Sequence, residues 1–220
     1  MRYFRNSLIN FLAQVRYFGM ETKEYILTNA TELFNRQGFT ASSLRQTAAY
    51  LDMSDGNLRY HFSSKEMLVM DIFRQMKQEL EFMFEPANPG SEKLQLEELH
   101  QQFRAVFFTM YRYKFLFIET PLLVQQYPAF KKLYQALKRA HKAFIKTAVR
   151  ALSKGQAPTS QLSARREEQL AEQLFIISDS WIRYVELEGL ASPRSIDARI
   201  DHYVQLCLEL IPLPQQTAAG

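Results

Sequence analysis

Four side chains within SSLRQTAAYLDMSDGNLRYHFSSK, residues 42–65, can pair with the edges of nucleic-acid bases. They are Arg45, Asp55, Asn57 and Arg59. Asn makes paired hydrogen bonds to adenine, Asp accepts from the cytosine amino group, and Arg donates two parallel bonds to guanine. Arg45 suits guanine or a phosphate equally. Gly56 stands among them without a Cβ, so a partner's surface can approach the backbone closely. Asp52 and Asp55 repel phosphate, so at least one of them must point away from a DNA backbone.

These residues need elements that hold them, and the same stretch supplies the signals. Ser43 with Gln46 forms a capping box that opens one short helix. Ser54 caps a second. Ser63 with Glu66 reads as another capping box, opening a third. Between the first two, Leu51-Asp52-Met53-Ser54 leaves room only for a turn of three or four residues. Two short helices joined this way form a helix-turn-helix, whose second helix enters the DNA major groove with its N-terminal part facing base edges. Leu44, Ala48, Leu51, Leu58 and Phe62 recur at helical spacing and are core positions of that small bundle. The start of the helix beginning near 64 also presents free N–H groups, a favourable place for a phosphate.

Residues 21–80 resemble the DNA-binding domain of TetR-family transcriptional regulators. The resemblance rests on Ile26-Leu27, Ala30, Leu33-Phe34, Gly38-Phe39, Thr40, Ser42-Ser43-Leu44-Arg45, Ala48, Gly56-Asn57-Leu58, Tyr60-His61-Phe62 and Lys65-Glu66. The run GNLRYHFSSKEML at its distance from LFNRQGF is the specific part. The sequence departs from the family at Asp52-Met53, where Gly and a small apolar residue are usual, and at Arg59, where Tyr is frequent. Tyr60, His61 and Lys65 match family positions that hold phosphate oxygens, which position a protein on DNA without reading sequence. The DNA-binding set expected is therefore Ser43, Arg45, Asp55, Gly56, Asn57, Arg59, Tyr60, His61 and Lys65.

Charge alone gives little support to DNA binding. The chain has 220 residues and a formal net charge of +4. Yet residues 20–85 carry seven basic and ten acidic side chains. The basic excess lies in 112–154, with ten Lys or Arg against Glu119 alone. Lys131, Lys132, Lys138, Arg139, Lys142, Lys146 and Arg150 fall along one helix there. They read as its solvated face, or as a surface for DNA flanks or an acidic ligand. The single cysteine, Cys207, excludes an intramolecular disulfide and fits a reducing compartment, so the expected location is cytoplasmic.

The periodicity predicts an all-α chain of about nine helices: an N-terminal three-helix helix-turn-helix domain plus a C-terminal helical domain. The helices fall at about 21–37, 44–51, 55–61, 64–84, 92–113, 114–126, 128–153, 164–189 and 195–211. Gly38 stops the first, Pro86, Pro89 and Gly90 break the chain after the fourth, and Pro121 kinks or splits the sixth. Pro128 suits a first helical turn, Ser195 caps the last helix, and Pro212 and Pro214 end it. The domains expected are 1–19, an N-terminal extension; 20–84, the DNA-binding domain; 85–212, effector binding and dimerisation; and 213–220, a tail. Residues 1–19 place Phe4, Leu8, Phe11, Leu12, Val15 and Phe18 on one stripe. They read as an upstream start, an extra helix, or a basic amphipathic helix lying on a membrane surface.

The resemblance implies more for the C-terminal half. Its last two helices would form a four-helix interface in a homodimer, through Leu174, Ile177, Trp181, Tyr184, Tyr203, Val204, Cys207 and Ile211. A twofold dimer reads a palindromic operator, its recognition helices about 34–36 Å apart or more widely set. The middle helices would enclose an effector pocket, for which Phe103, Phe107, Met110, Phe117 and His141 are the candidates. Such a lining favours an apolar or aromatic small molecule. The function expected is a dimeric, sequence-specific repressor released from its operator by that effector. An activator, or a regulator without an effector, is the alternative, and a membrane-surface or adaptor protein acting through residues 1–19 is a third. No phosphate-binding glycine loop, metal-spaced His or Cys set or nucleophile motif occurs, so no enzyme, cofactor or metal is expected.

Overall fold

The structure is a computed structural model that describes residues 21–84, 96–152, 162–189 and 195–211. The expectations for the 1–19 extension, the 213–220 tail, the break at Pro86, Pro89 and Gly90, the helix start at Glu92 and most of the 155–163 linker lie outside those residues. Ten helices and no strand are found among the described residues. The chain divides into two compact units, one up to Phe73 and one from Arg74 onward. The division falls inside the helix Lys65–Phe84, whereas the sequence reading put the domain boundary at that helix's end.

The N-terminal unit begins with α1 (Thr22–Gln37), which buries Ile26, Leu27, Ala30, Leu33 and Phe34 along one stripe. Gly38 ends it at φ 85°, a region open to glycine, and donates its N–H to the Phe34 carbonyl at 2.9 Å. Phe39 then packs edge-on against Phe34, with ring centres 5.3 Å apart. Next comes α2 (Leu44–Tyr50). Its capping box is complete: Ser43 Oγ accepts from the Gln46 N–H at 3.2 Å, and Gln46 Oε1 accepts from the Ser43 N–H at 2.8 Å.

The turn after α2 closes with two backbone bonds, Asp52 N–H to the Ala49 carbonyl at 3.3 Å and Met53 N–H to the Ala48 carbonyl at 3.0 Å. This is the Schellman arrangement, which needs a left-handed residue. Asp52 fills that place at φ 53° and is the sole non-glycine residue with positive φ among the described residues. Ser54 Oγ accepts from the Asn57 N–H at 3.1 Å and starts α3 (Asp55–His61). Leu58 and Phe62 are fully buried, and Tyr25 donates its hydroxyl to the Leu51 carbonyl at 3.3 Å, tying α1 to the turn.

The start of α4 (Lys65–Phe84) corrects one expectation. Ser64, not Ser63, accepts from the backbone N–H three residues on, that of Met67, at 3.1 Å. Ser63 Oγ instead lies 3.0 Å from the Met67 sulfur, so Ser63 and Glu66 form no capping box. Two adjacent serines offer the same local chemistry, and packing of Leu68, Val69, Ile72 and Phe73 selects the register.

The C-terminal unit holds α5 (Leu96–Arg112), α6 (Lys114–Ile118), α7 (Thr120–Gln126), α8 (Pro128–Leu152), α9 (Ala164–Leu187) and α10 (Ile196–Leu210). Its main packing pairs are α8 on α9 and α5 on α10, with α9 also touching α6 and α10. Pro121 splits the expected sixth helix into α6 and α7. Proline has no N–H to offer the carbonyl four residues back, that of Phe117. Arg183 Nη1 donates to that carbonyl instead, at 2.7 Å. At the end of α9, Gly189 takes φ 64°. Ser195 stands at the α10 N-cap, but its side chain makes no cap bond.

Candidate nucleic-acid interface and effector cavity

One turn of sequence separates what α3 buries from what it presents. Leu58 is 0% exposed, while Gly56, Asn57, Arg59 and Tyr60 are exposed, Tyr60 at 85%. An exposed tyrosine in a short capped helix has no packing reason to be there. Its ring meets His61 edge-on at 5.1 Å. A Cβ built on Gly56 would meet nothing nearer than Ser54 Oγ at 4.0 Å, and Gly56 does not have positive φ. Neither backbone strain nor intramolecular crowding therefore accounts for this glycine. Arg45 is exposed on α2 beside the exposed cap Ser43.

Asp55 and Lys65 are occupied in ways the sequence did not reveal. Asp55 Oδ2 accepts from Arg59 Nε at 2.7 Å, and Asp55 Oδ1 is buried without a hydrogen-bond partner. The Lys65 ammonium donates to the Phe39 carbonyl and sits 3.9 Å from the centre of the Phe39 ring. It thus ties the start of α4 to the loop after α1.

Four of the seven basic residues on α8 are paired with α9. Lys138 and Lys142 reach Glu172 at 3.2 and 2.8 Å, Lys142 also reaches Glu168 at 2.6 Å, and Arg150 reaches Glu167 at 2.5 Å. Lys146 pairs with Glu168 as well. Hydrogen bonds from Lys142 and Lys146 pull the Glu168 carboxyl down to about 2. These four basic residues form an interhelical ladder that joins α8 to α9, while Lys131, Lys132 and Arg139 of the same run are exposed.

Of the five candidate pocket residues, Phe103, Phe107 and His141 line one cavity, together with Phe144, Ile145, Leu174, Ser178 and Cys207. Met110 and Phe117 are buried but do not reach its wall. The cavity measures about 10 Å³, room for a single water molecule. Burial holds the His141 imidazole down at about 4, and its ring meets Phe175 edge-on at 5.7 Å. Burial also pushes the Cys207 thiol up to about 12. Trp181, the sole tryptophan, stacks on Phe107 at 5.4 Å. Beside this region lies a polar network that the sequence did not disclose. Tyr134 donates to Asp179 Oδ1 at 2.6 Å, and Arg183 donates to Asp179 Oδ2 at 2.9 Å. Burial, then the bond to Asp179, raises the Tyr134 hydroxyl above its ordinary value.

The eight residues expected at a dimer interface divide. Leu174, Trp181, Val204, Cys207 and Ile211 are buried inside the single chain, Ile177 and Tyr203 are half-buried, and Tyr184 is exposed. The outward apolar stripe runs through Ile176, Tyr184 and Leu187 on α9 and Leu206 and Leu210 on α10. Helices with apolar residues on two sides give the same periodicity for both stripes, and only packing tells the inward one from the outward one.

Among the described residues, no helix is long and apolar enough to cross a membrane. No group of three or more His, Cys, Asp or Glu that could hold a metal occurs there either.

The comparisons with known proteins agree with this geometry. Residues 26–72 match the model of bacterial regulatory proteins of the tetR family, and residues 75–215 match the TetR model of bacterial transcriptional repressors. The HTH-type transcriptional regulator QacR of Staphylococcus aureus is 40% identical over 53 residues, a match spanning 24% of this chain and 28% of that protein. A TetR-family transcriptional regulator from Marinobacter aquaeolei superimposes with a TM-score of 0.78 at 20% identity, covering 90% of this chain and 93% of that one. The TetR-family regulator PfmR from Thermus thermophilus has a TM-score of 0.62, also at 20% identity, over 84% and 97% of the two chains. The chain belongs to the TetR family of transcriptional regulators, with a helix-turn-helix DNA-binding domain, and is not an enzyme.

Proposed function

We propose that this regulator is a cytoplasmic homodimeric repressor that reads a palindromic operator through α3. Residues 20–84 serve as its DNA-binding domain, and residues 85–212 dimerise and take an effector. The observation that carries the reading is the outer face of α3, where Gly56, Asn57 and Tyr60 stand exposed over a fully buried Leu58. Asn57 reads base edges, and Arg45 takes guanine or phosphate. Ser43, Tyr60, His61 and Lys65 hold phosphates; for Lys65 this requires release of its bond to Phe39. The exposed stripe of Ile176, Tyr184, Leu187, Leu206 and Leu210 supports dimerisation through α9 and α10. An apolar or aromatic effector in the cavity of Phe103, Phe107 and His141 favours a conformation that no longer fits the operator.

Selection of bound sequences from random duplex DNA, at stated salt, tests the reading. A palindromic motif that is lost on Asn57→Ala supports it. The absence of enrichment by folded, dimeric protein at low salt removes it. Leu187→Glu with Ile176→Glu should yield folded monomers in sedimentation experiments, and a persistent dimer would move the interface elsewhere. The smallness of the cavity favours a second reading, a TetR regulator without a small-molecule effector. Trp181 fluorescence separates the two, since an occupant beside Phe107 perturbs the indole stacked on it.

A further inference from the structure

Asp55 is already engaged by a partner on its own helix. Its Oδ2 is held by Arg59 Nε at 2.7 Å, and its Oδ1 is buried without a partner. With Oδ1 buried and Oδ2 shared with Arg59, this carboxylate has little left to offer a cytosine amino group. It can fix the guanidinium four residues on. Arg59 remains half-exposed in the pair, and its ion pair uses Nε. The two Nη groups form the far end of the planar fork, the end that matches guanine O6 and N7.

We infer that Asp55 is a positioning residue that presents the Arg59 guanidinium end-on to a guanine in the operator half-site. The inference rests on the reading of α3 as the DNA-reading helix and adds to it the base that Arg59 reads and the role of Asp55. Two physical arguments favour guanine over phosphate as the partner. The pair is neutral as a unit, so Arg59 has lost most of the attraction to the DNA backbone that an isolated arginine would have. An arginine already held at Nε also loses less conformational freedom on binding, and that benefit depends on a partner of fixed geometry. This pairing also answers the repulsion that Asp55 would otherwise feel from phosphate.

The test starts from the motif that the wild-type protein selects. Each G·C pair of the half-site is replaced in turn, and each guanine is also replaced by 7-deazaguanine, which lacks the N7 acceptor. Affinities are measured from 50 to 200 mM salt for wild type, Arg59→Ala, Arg59→Lys, Asp55→Ala and the double variant Asp55→Ala with Arg59→Ala, with circular dichroism melting as the check on folding. Arg59→Ala and Arg59→Lys should each lose roughly 5- to 150-fold discrimination at one guanine, the range of one bidentate contact, and become indifferent to 7-deazaguanine there. The double variant, which removes the neutral pair whole, should leave the salt slope nearly unchanged. Asp55→Ala should lose discrimination at the same guanine while binding unrelated DNA more tightly. Its salt slope should steepen by about one phosphate's worth, because the arginine charge is released. A purely structural role for Asp55 would weaken binding to all sequences together. Discrimination at every guanine that survives Arg59→Ala, or a uniform loss with a shallower slope, overturns the inference and leaves the DNA-reading helix intact. If folded wild-type protein selects no motif, the reading of α3 fails, and this inference with it.

Discussion

Gly56→Ala separates the demands of folding from those of function. In the free protein the added methyl would have Ser54 Oγ, at 4.0 Å, as its nearest neighbour, an ordinary van der Waals distance. The backbone there does not have positive φ, so alanine incurs no strain. A Gly→Ala change under those conditions stabilises by about 0.4–1 kcal/mol, because the unfolded chain loses freedom. For a chain of this size that raises Tm by roughly 1–4 °C. The same methyl would stand between α3 and any surface that Asn57 contacts. Lifting Asn57 off its base forfeits a bidentate contact worth about 1–3 kcal/mol. The variant should therefore melt higher and bind its operator roughly 5- to 150-fold more weakly, with the loss confined to specific sequences. Calorimetric melting and fluorescence anisotropy on selected and scrambled duplexes measure both quantities. A stabilised protein with unchanged operator affinity would refute the placement of Gly56 against DNA. A destabilised one would refute the packing argument itself.

Three further outcomes follow from the C-terminal unit. Asp179→Ala leaves Arg183 and Tyr134 without their shared acceptor, and should cost about 3 kcal/mol in urea unfolding, as expected when one partner of a mostly buried pair is removed. Glu168→Gln removes one rung of the α8–α9 ladder; any drop in Tm should be slight and should vanish near 1 M salt, where screening acts within about 3 Å. His141 is held neutral by burial down to about pH 4, whereas the unfolded chain protonates near 6.5. The unfolded state thus binds the extra proton between those values, and this residue's contribution makes stability fall as pH drops from 6.5 toward 4. At pH 5 the deficit is about 2 kcal/mol relative to pH 7, and His141→Leu should shrink the pH 7 to pH 5 difference by that amount. An unchanged difference would mean that the ring is not sealed from solvent.

What the sequence disclosed was what local chemistry fixes. Ser43 with Gln46, Ser54 with the Asn57 N–H, Gly38 and Pro128 act within a turn of their own positions, so the helix ends they set were legible to within a residue or so. Asp52 stands where the resembling family usually has Gly, and it takes the left-handed conformation that Asp tolerates at more cost than Gly. Two features that were not legible share one cause, a partner distant in sequence. Nothing near Pro121 announces that Arg183 will take the carbonyl it leaves free. Nothing on α8 announces that Glu167, Glu168 and Glu172 will pair with Lys138, Lys142, Lys146 and Arg150. The spacing of Asp55 and Arg59 did permit a helical ion pair, and that i,i+4 signal could have identified Asp55 as a partner rather than a reader.

The cavity and the outward stripe meet on the same helices, and that bears on how an effector would act. A pocket for a drug-sized ligand holds about 300–1,000 Å³, against about 10 Å³ here. On the effector reading, the ligand must therefore part the helices that now close around Phe103, Phe107 and His141. Leu174 and Ser178 of α9 and Cys207 of α10 form part of that wall. Ile176 and Tyr184 of α9 and Leu206 and Leu210 of α10 face the other way, on the stripe proposed to pair two subunits. A helix that moves outward to admit a ligand carries both faces with it. The work of opening is then done against the dimer contact, and the ligand's preference for the open state sets how far the equilibrium shifts. Enlarging the cavity by Phe144→Ala would lessen that opposition. It should tighten effector binding while loosening its coupling to DNA release, whereas a rigid pocket would lose both together.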